Sequence, residues 1–401
     1  MNNEKLTNIQ QRLLKIKQLT MSSNLDDSNP IKHLNAYADT VEFFNSSNDD
    51  DNDTRSVLGK KELNFKKVIT QMDAQLAYIK SGAYGHTFKG IILDDNGKEK
   101  MSFAVKIVAY TKKDDYGDEF NLQRPENAEL CMLKVLSYFV LKNITPHVIL
   151  PINTFDTNIK TFINLQKKNI VDVDNENYST FVKNYENGKY YEIVNVIISE
   201  WANEGDLSMF LKKCYKKLKL IHWKCIFFQI ISTLAIIQSK FPSFRHNDLK
   251  ANNVLISKID NNKTVQYSVN GNKYHVPSIG YIIYLWDFDF ACIPGVVQNL
   301  KVYQPFFNKL NITSKQNRYY DIHYFFCTLI CKGFLPDLMT ASEVPTEVKD
   351  FINYVVPMDY RPTKQTEFVN KKCRLQVDNE LHIPSDILNH EFFKEFHYNI
   401  K

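Results

Sequence analysis

The sequence predicts an α+β chain whose strands gather in the first half and whose long helices gather in the second. Three observations carry this. Residues 79–108 alternate short apolar runs with glycine-bearing turns, the pattern of β-hairpins. Residues 125–141 and 225–239 repeat apolar side chains at helical spacing. Arg245–Asn253 crowds polar and charged residues immediately before Val254-Leu255-Ile256, a loop feeding a short buried strand. A chain of 401 residues has room for one large two-lobed domain, or two ordinary ones, with appendages.

Composition narrows the class. Apolar residues make up 44% of the chain, with 27 Phe and 22 Tyr, so a real core is expected. A net charge of +5 is too mild to argue for nucleic acid, and none is expected as a partner. Seven cysteines are scattered, and only Cys327 and Cys331 are close. No C-x-x-C pair occurs, which suggests neither a zinc site nor a disulfide framework and fits a reducing compartment. The opening residues Met1–Lys5 lack an apolar signal core, and no uninterrupted apolar run is long enough to span a membrane.

Residues 1–65 form a polar extension. Within it, Asn45–Asp53 is an acidic low-complexity tract that reads as a solvated tail, and Glu4–Leu19 reads as a short helix. The first lobe is expected over 66–200. Ile79–Gly90 reads as strand, glycine turn, strand, with Gly82 and Gly85 allowing backbone amides to approach phosphate oxygens. Asp94-Asp95-Asn96-Gly97 turns the next hairpin. Lys106 stands in the apolar strand Phe103–Val108, so its ammonium needs an anionic partner. A helix follows from Pro125 to Leu141. Glu126 and Glu129 share one face of it, and either is placed to neutralise Lys106. Glu129 is favoured because it leads into the apolar repeat Leu130, Leu133, Leu136. Residues 155–190 are polar and read as an insertion, and Val194–Ser199 is the next strand.

The lobe boundary is placed at Glu200–Leu207, where a strand gives way to a glycine linker and a helix capped by Asp206. The second lobe is expected over 201–396. The six lysines within Lys212–Lys224 read as a solvated face. Cys225–Ser239 reads as a core helix, too short and too polar at Gln229, Ser232 and Thr233 to cross a membrane. After a polar, hairpin-like insertion at 257–280, the strand Tyr281–Trp286 ends in Asp287-Phe288-Asp289-Phe290, which places a carboxylate where it can hold Mg²⁺. Helix returns at Tyr319 with Asp321 in its first turn, and Pro384–Phe393 reads as a closing helix with an aromatic anchor.

Taken in this order, the pieces resemble the protein-kinase fold over most of the chain. The resemblance implies a bilobal molecule with a small β-rich first lobe and a larger, mainly helical second lobe. It implies ATP and Mg²⁺ as cofactors and proteins bearing Ser or Thr as substrates. Gly82, Ala83, Tyr84 and Gly85 match the loop that covers the nucleotide. Lys106 matches the lysine of the α and β phosphates, with Glu129 the best match for its helix partner. Glu200 to Ala202 resemble the segment whose backbone binds adenine, and Asp206 is placed at the ribose. Asp248 matches the aspartate that accepts or orients the substrate hydroxyl proton, and Lys250 the lysine that steadies the transferring group. Asn253 and Asp287 match the two Mg²⁺ ligands, and Asp321 the aspartate that braces the catalytic loop. Lys250 is typical of Ser/Thr rather than Tyr kinases.

Trp286–Phe290 and Arg318–Phe326 further resemble the divergent Ser/Thr kinases of poxviruses and other large DNA viruses. That implies a virus-encoded enzyme of the host cytoplasm, carried in the virion. Three positions depart from the common pattern. Lys80 replaces the first glycine, Asn247 replaces an arginine, and Asp289 replaces a glycine of the metal motif. Without the arginine, a phosphorylated activation segment has no obvious guanidinium to pair with, so activity independent of such phosphorylation is expected. Two other readings stand beside this one. The first is a small-molecule phosphotransferase of the choline or aminoglycoside type, which Asn247 suits. The second is a pseudokinase scaffold.

Overall fold

A computed structural model describes residues 8–21, 61–82, 84–260, 264–331, 333–362 and 367–398. The acidic tract at 45–53 and Ala83 lie outside the described residues. By contact the chain divides into one unit within Met1–Leu141 and Ile149–Trp201 and a second within Lys142–Val148 and Ala202–Lys401.

The first unit begins with α1 (Asn8–Met21), whose Ile9, Arg12, Ile16 and Leu19 recur at helical spacing and are buried. Next comes α2 (Phe65–Gln71), started by the Asn64 side chain accepting from Lys67 N. Strands β1 (Gln75–Gly82), β2 (Gly85–Leu93) and β3 (Glu99–Thr111) come next, then α3 (Pro125–Leu141), β4 (Pro151–Asn158), α4 (Glu176–Glu186) and β5 (Tyr190–Glu200). The five strands form one antiparallel sheet in the order β1-β2-β3-β5-β4. Strand alternation decides what β3 offers. Phe103, Val105 and Ile107 are buried on one face, so Lys106 projects from the other. In register it lies between Thr87 of β2 and Ile197 of β5, near the middle of the sheet.

The polar stretch expected as an insertion from residue 155 starts later. Residues 155–158 complete β4, where Phe155 is buried and Asp156 accepts from Tyr110 Oη at 2.7 Å. The segment between β4 and β5 contains α4, whose polar sequence conceals two fully buried rings, Tyr178 and Phe181.

The second unit carries α5 (Leu207–Cys214) and α6 (Leu220–Lys240), then β6 (Val254–Lys258), β7 (Val265–Val269), β8 (Asn272–Val276) and β9 (Tyr281–Leu285). Helices α7 (Pro305–Asn308), α8 (Tyr320–Leu329), α9 (Thr346–Val355) and α10 (Pro384–Ile387) complete it. Strands β6 and β9 pair as an antiparallel ribbon, and β7 and β8 form a separate hairpin. Helix α6 has 21 residues, longer than the sequence suggested. Among the described residues it is the one helix long and apolar enough to cross a membrane, and 78% of its apolar stretch is buried inside the protein. Gln229 is bound there, accepting from Ile283 N of β9 at 2.9 Å. Aromatic rings knit α6 to α9 and to the chain end, with Phe351 stacked on Phe392 at 4.2 Å. The closing segment is not one helix. After α10 a 3-10 turn runs over Glu391–Phe396, started by His390 accepting from Phe392 N.

Candidate active site

The expected site residues fall in both units. In the first, the β1–β2 turn lies over β3, with Ala109 N donating to the Tyr84 carbonyl at 2.8 Å. The two glycines of this turn have different physical reasons. A Cβ at Gly85 would stand 1.7 Å from the Ile107 carbonyl oxygen, so the close approach of β3 requires glycine there. A Cβ at Gly82 would meet nothing within 4 Å, so its backbone faces open space. Tyr84 between them is 46% exposed. Behind the turn, Tyr78 Oη donates to Ser81 Oγ, which sits 2.9 Å from His86 Nδ1. Asn175 and Asn177 of the insertion donate to Tyr78 Oη and the Ser81 carbonyl. His86 packs edge-on against Phe181 at 4.3 Å, and burial pushes its imidazole down to about 4.

Lys106 Nζ lies 2.5 Å from Glu129 Oε1. Glu126 turns elsewhere: it accepts from Thr111 N and Oγ1 and from Arg124 Nε at 2.9 Å. One helix face thus serves both the middle of β3, at Lys106, and its end, at Thr111. Glu200 accepts twice from the buried Arg12 guanidinium, at 2.6 and 2.8 Å, and once from Leu150 N. This ties α1 to the end of β5.

In the second unit, the Ala202 carbonyl accepts from Gly205 N, and Asp206 caps α5 by accepting from Met209 N at 2.9 Å. The loop Arg245–Asn253 rests on the fully buried Asp321 of α8. Asp321 accepts from His246 N and Asn247 N, both at 2.8 Å. Burial pushes the Asp321 carboxyl above its ordinary value, against the opposing pull of Arg245 and the loop around His246. Asn247 adopts a left-handed φ of 63°, which asparagine tolerates well. Its amide donates to the Phe290 and Thr313 carbonyls, both at 3.0 Å. Asn247 therefore fastens by direct hydrogen bonds the two segments on either side of it.

Both oxygens of the Asp248 carboxylate are bound. Its Oδ2 accepts from Lys250 Nζ at 2.7 Å and from Asn253 Nδ2 at 3.0 Å. Its Oδ1 accepts from Arg374 Nη2 at 2.7 Å. Arg374 also donates to the Asn247 carbonyl and to Tyr320 Oη, and lies over the Tyr324 ring. Sequence reasoning missed Arg374. It sits 126 positions from Asp248, and nothing in its neighbourhood marks it as a site residue.

The β6–β9 register brings the two expected metal ligands to one end of the ribbon. Val254 pairs with Leu285, and Trp286 N donates to the Asn253 carbonyl, so Asp287 follows one residue past the position opposite Asn253. Asn253 spends its Nδ2 on Asp248, which leaves its Oδ1 as the hard oxygen donor of this side chain. Asp287 takes a left-handed φ of 62°, an uncommon setting for a residue that is not glycine. An Asn amide oxygen beside an Asp carboxylate is a donor set suited to Mg²⁺. Asp289, where glycine was the commoner choice, forms an ion pair with Lys301, whose ammonium also lies over the Phe290 ring at 4.0 Å.

A family profile described as poxvirus serine/threonine protein kinase matches residues 101–384. The chain is 42% identical over 362 residues to an Acanthamoeba polyphaga mimivirus protein named as a serine/threonine-protein kinase. That match covers 87% of this chain and 76% of the relative. A second mimivirus protein so named is 28% identical over 186 residues, 43% of this chain and 46% of its own length. Serine/threonine-protein kinase 2 of Monkeypox virus is 29% identical over 191 residues, 46% of this chain and 40% of its own length.

Proposed function

The chain belongs to the poxvirus serine/threonine protein kinase family, and from that premise we propose that it transfers the γ-phosphoryl group of ATP to serine and threonine hydroxyls of proteins. The observation that carries this reading is the Asp248 cluster. One carboxylate is fixed by Lys250, Asn253 and Arg374, on a loop pinned to a buried aspartate.

In this reading the chain adopts the bilobal kinase fold. The backbone at Gly82–Gly85 covers the phosphates. Lys106, aimed by Glu129, holds the α and β phosphates. The backbone of Glu200 to Ala202 receives adenine, and Asp206 meets the ribose. Asp248 orients the acceptor hydroxyl and takes its proton as that oxygen bonds to the γ-phosphorus and the bond to the β-phosphate oxygen breaks. Lys250 leaves Asp248 to steady the γ-phosphoryl oxygens. Asn253 and Asp287 would hold Mg²⁺, which neutralises phosphate charge when bound. We place the enzyme, as a viral product, in the host cytoplasm and in the virion.

The test is phosphate transfer from γ-labelled ATP with Mg²⁺, offered in parallel to casein-like proteins and to choline- and aminoglycoside-type alcohols. Label on protein serine or threonine supports the reading. Label on the alcohols alone would replace it with a small-molecule phosphotransferase, and no transfer with ATP still bound would make the chain a scaffold.

A further inference from the structure

Three of the seven cysteines converge in the second unit, Cys373 joining the neighbours Cys327 and Cys331 from more than 40 residues away. Cys327 lies on α8, Cys331 lies just beyond its end, and Cys373 lies in a turn closed by the pairing of Val369 with Leu375. Their sulfurs all fall within 4.8 Å of one another. Cys331 Sγ and Cys373 Sγ are 2.9 Å apart, and the Cys331 thiol also donates to the Cys327 carbonyl at 3.0 Å. Cys327 and Cys373 are buried, and Cys331 is half-buried.

Apolar packing does not account for this geometry, because two sulfurs in van der Waals contact stand farther apart than the 331–373 pair. A disulfide would use two of the sulfurs and leave Cys327 idle. A thiophilic cation uses all three. In a reducing compartment clustered cysteines are more often metal ligands than disulfides.

We propose that Cys327, Cys331 and Cys373 form a binding site for a soft d¹⁰ cation, zinc foremost, with water in the fourth position. Zinc–sulfur bonds of about 2.3 Å set the sulfurs of a tetrahedral site roughly 3.8 Å apart. The trio lies around that spacing, and the close pair needs to open by about 1 Å. His323, one turn before Cys327 on the same helix, is held neutral by burial and adds no charge to repel a cation.

The site has a structural consequence. Cys373 immediately precedes Arg374, whose guanidinium holds Asp248. Helix α8 carries Tyr320, Asp321 and Tyr324, which hold Arg374 and the loop under it. A cation shared by α8 and the 369–375 turn would staple Arg374 to the helix that supports Asp248. Binding does not depend on phosphoryl transfer and can be tested without it.

The test uses the full chain expressed with zinc and purified under reducing conditions without chelator. Metal content is measured by mass spectrometry, and cobalt is then titrated into the metal-free chain. The expected result is about one zinc per chain and an intense near-ultraviolet thiolate-to-cobalt band. Cys327→Ser and Cys373→Ser should each abolish both. Cys327→Ser is the sharper variant, since a 331–373 disulfide would survive it. Should either variant fail to fold, blocking the thiols of the unaltered chain before titration must remove the band. The proposal is overturned by an unaltered chain with neither zinc nor a cobalt band, or by a 331–373 disulfide found in protein kept reduced.

Discussion

The glycine hairpin of the first unit and the Arg245–Asn253 loop of the second are held in opposite ways. The hairpin is backed by side-chain packing. The rings of His86, Phe162, Tyr178 and Phe181 lie behind it, joined by a few polar contacts from Asn175 and Asn177. The loop is held by a concentrated polar frame. Two backbone amides meet one buried carboxylate at Asp321, and an arginine brackets Asp248 from another segment. Packing spreads its contribution over many weak contacts, whereas a buried polar frame depends on each member. Loss of one ring should therefore cost stability, and loss of one donor should cost catalysis.

The largest effect is expected at the loop. Asp248→Asn should lower kcat by about 10²–10⁴-fold, the usual size of a general-base contribution, while ATP still binds. Equal turnover in mutant and parent would remove Asp248 from the chemistry.

At the hairpin, Phe181→Ala should lower the unfolding free energy by about 3–5 kcal/mol, as for other fully buried phenylalanines. Denaturant titration reads this, and an unshifted midpoint would show that the insertion does not support the hairpin.

Arg374→Met is expected to lower kcat by about 10–100-fold through the loss of the guanidinium that holds Asp248 and the Asn247 carbonyl, with KM for ATP unchanged. Arg374→Lys should recover part of the loss. A change confined to KM would place Arg374 outside the positioning of Asp248.

A smaller effect comes from His86. Its folded value of about 4 lies below the ordinary 6.5, so the unfolded chain takes up a proton first as pH falls. The stability of the neutral, buried ring is fully present above pH 6.5 and is lost as pH falls toward about 4. Near pH 5 the slope should approach about 1.4 kcal/mol per pH unit. Melting curves of the parent and of His86→Gln between pH 7.5 and 5 should diverge accordingly; parallel curves would contradict the assignment.

The smallest expected effect is none. Asn247 and the Asp289–Lys301 pair hold their segments without a phosphate. Phosphatase treatment should leave activity unchanged, and a marked loss would show that a phosphorylated residue completes the frame.

Much of this architecture is legible in local pattern. Period-two alternation marks β3 and places Lys106 opposite Val105 and Ile107, and apolar repeats mark α3 and α6. The polar loop before β6 and the aspartate after β9 are visible for the same reason, since a strand and its flanking loop are neighbours along the chain. Sequence alone leaves Glu126 and Glu129 as rivals, because both share a helix face. The choice turns on where Thr111 and Arg124 fall once β3 and α3 pack.

Local spacing therefore specified which elements form and which face each presents, because backbone sterics and side-chain periodicity act within a few residues. Contacts across long sequence separations were settled only by chain folding. Arg374 reaches Asp248, Arg12 reaches Glu200, and Cys373 joins Cys327 and Cys331 from segments whose own composition is ordinary. Such pairings depend on how loops close and cores fill, and no short window of sequence encodes that geometry.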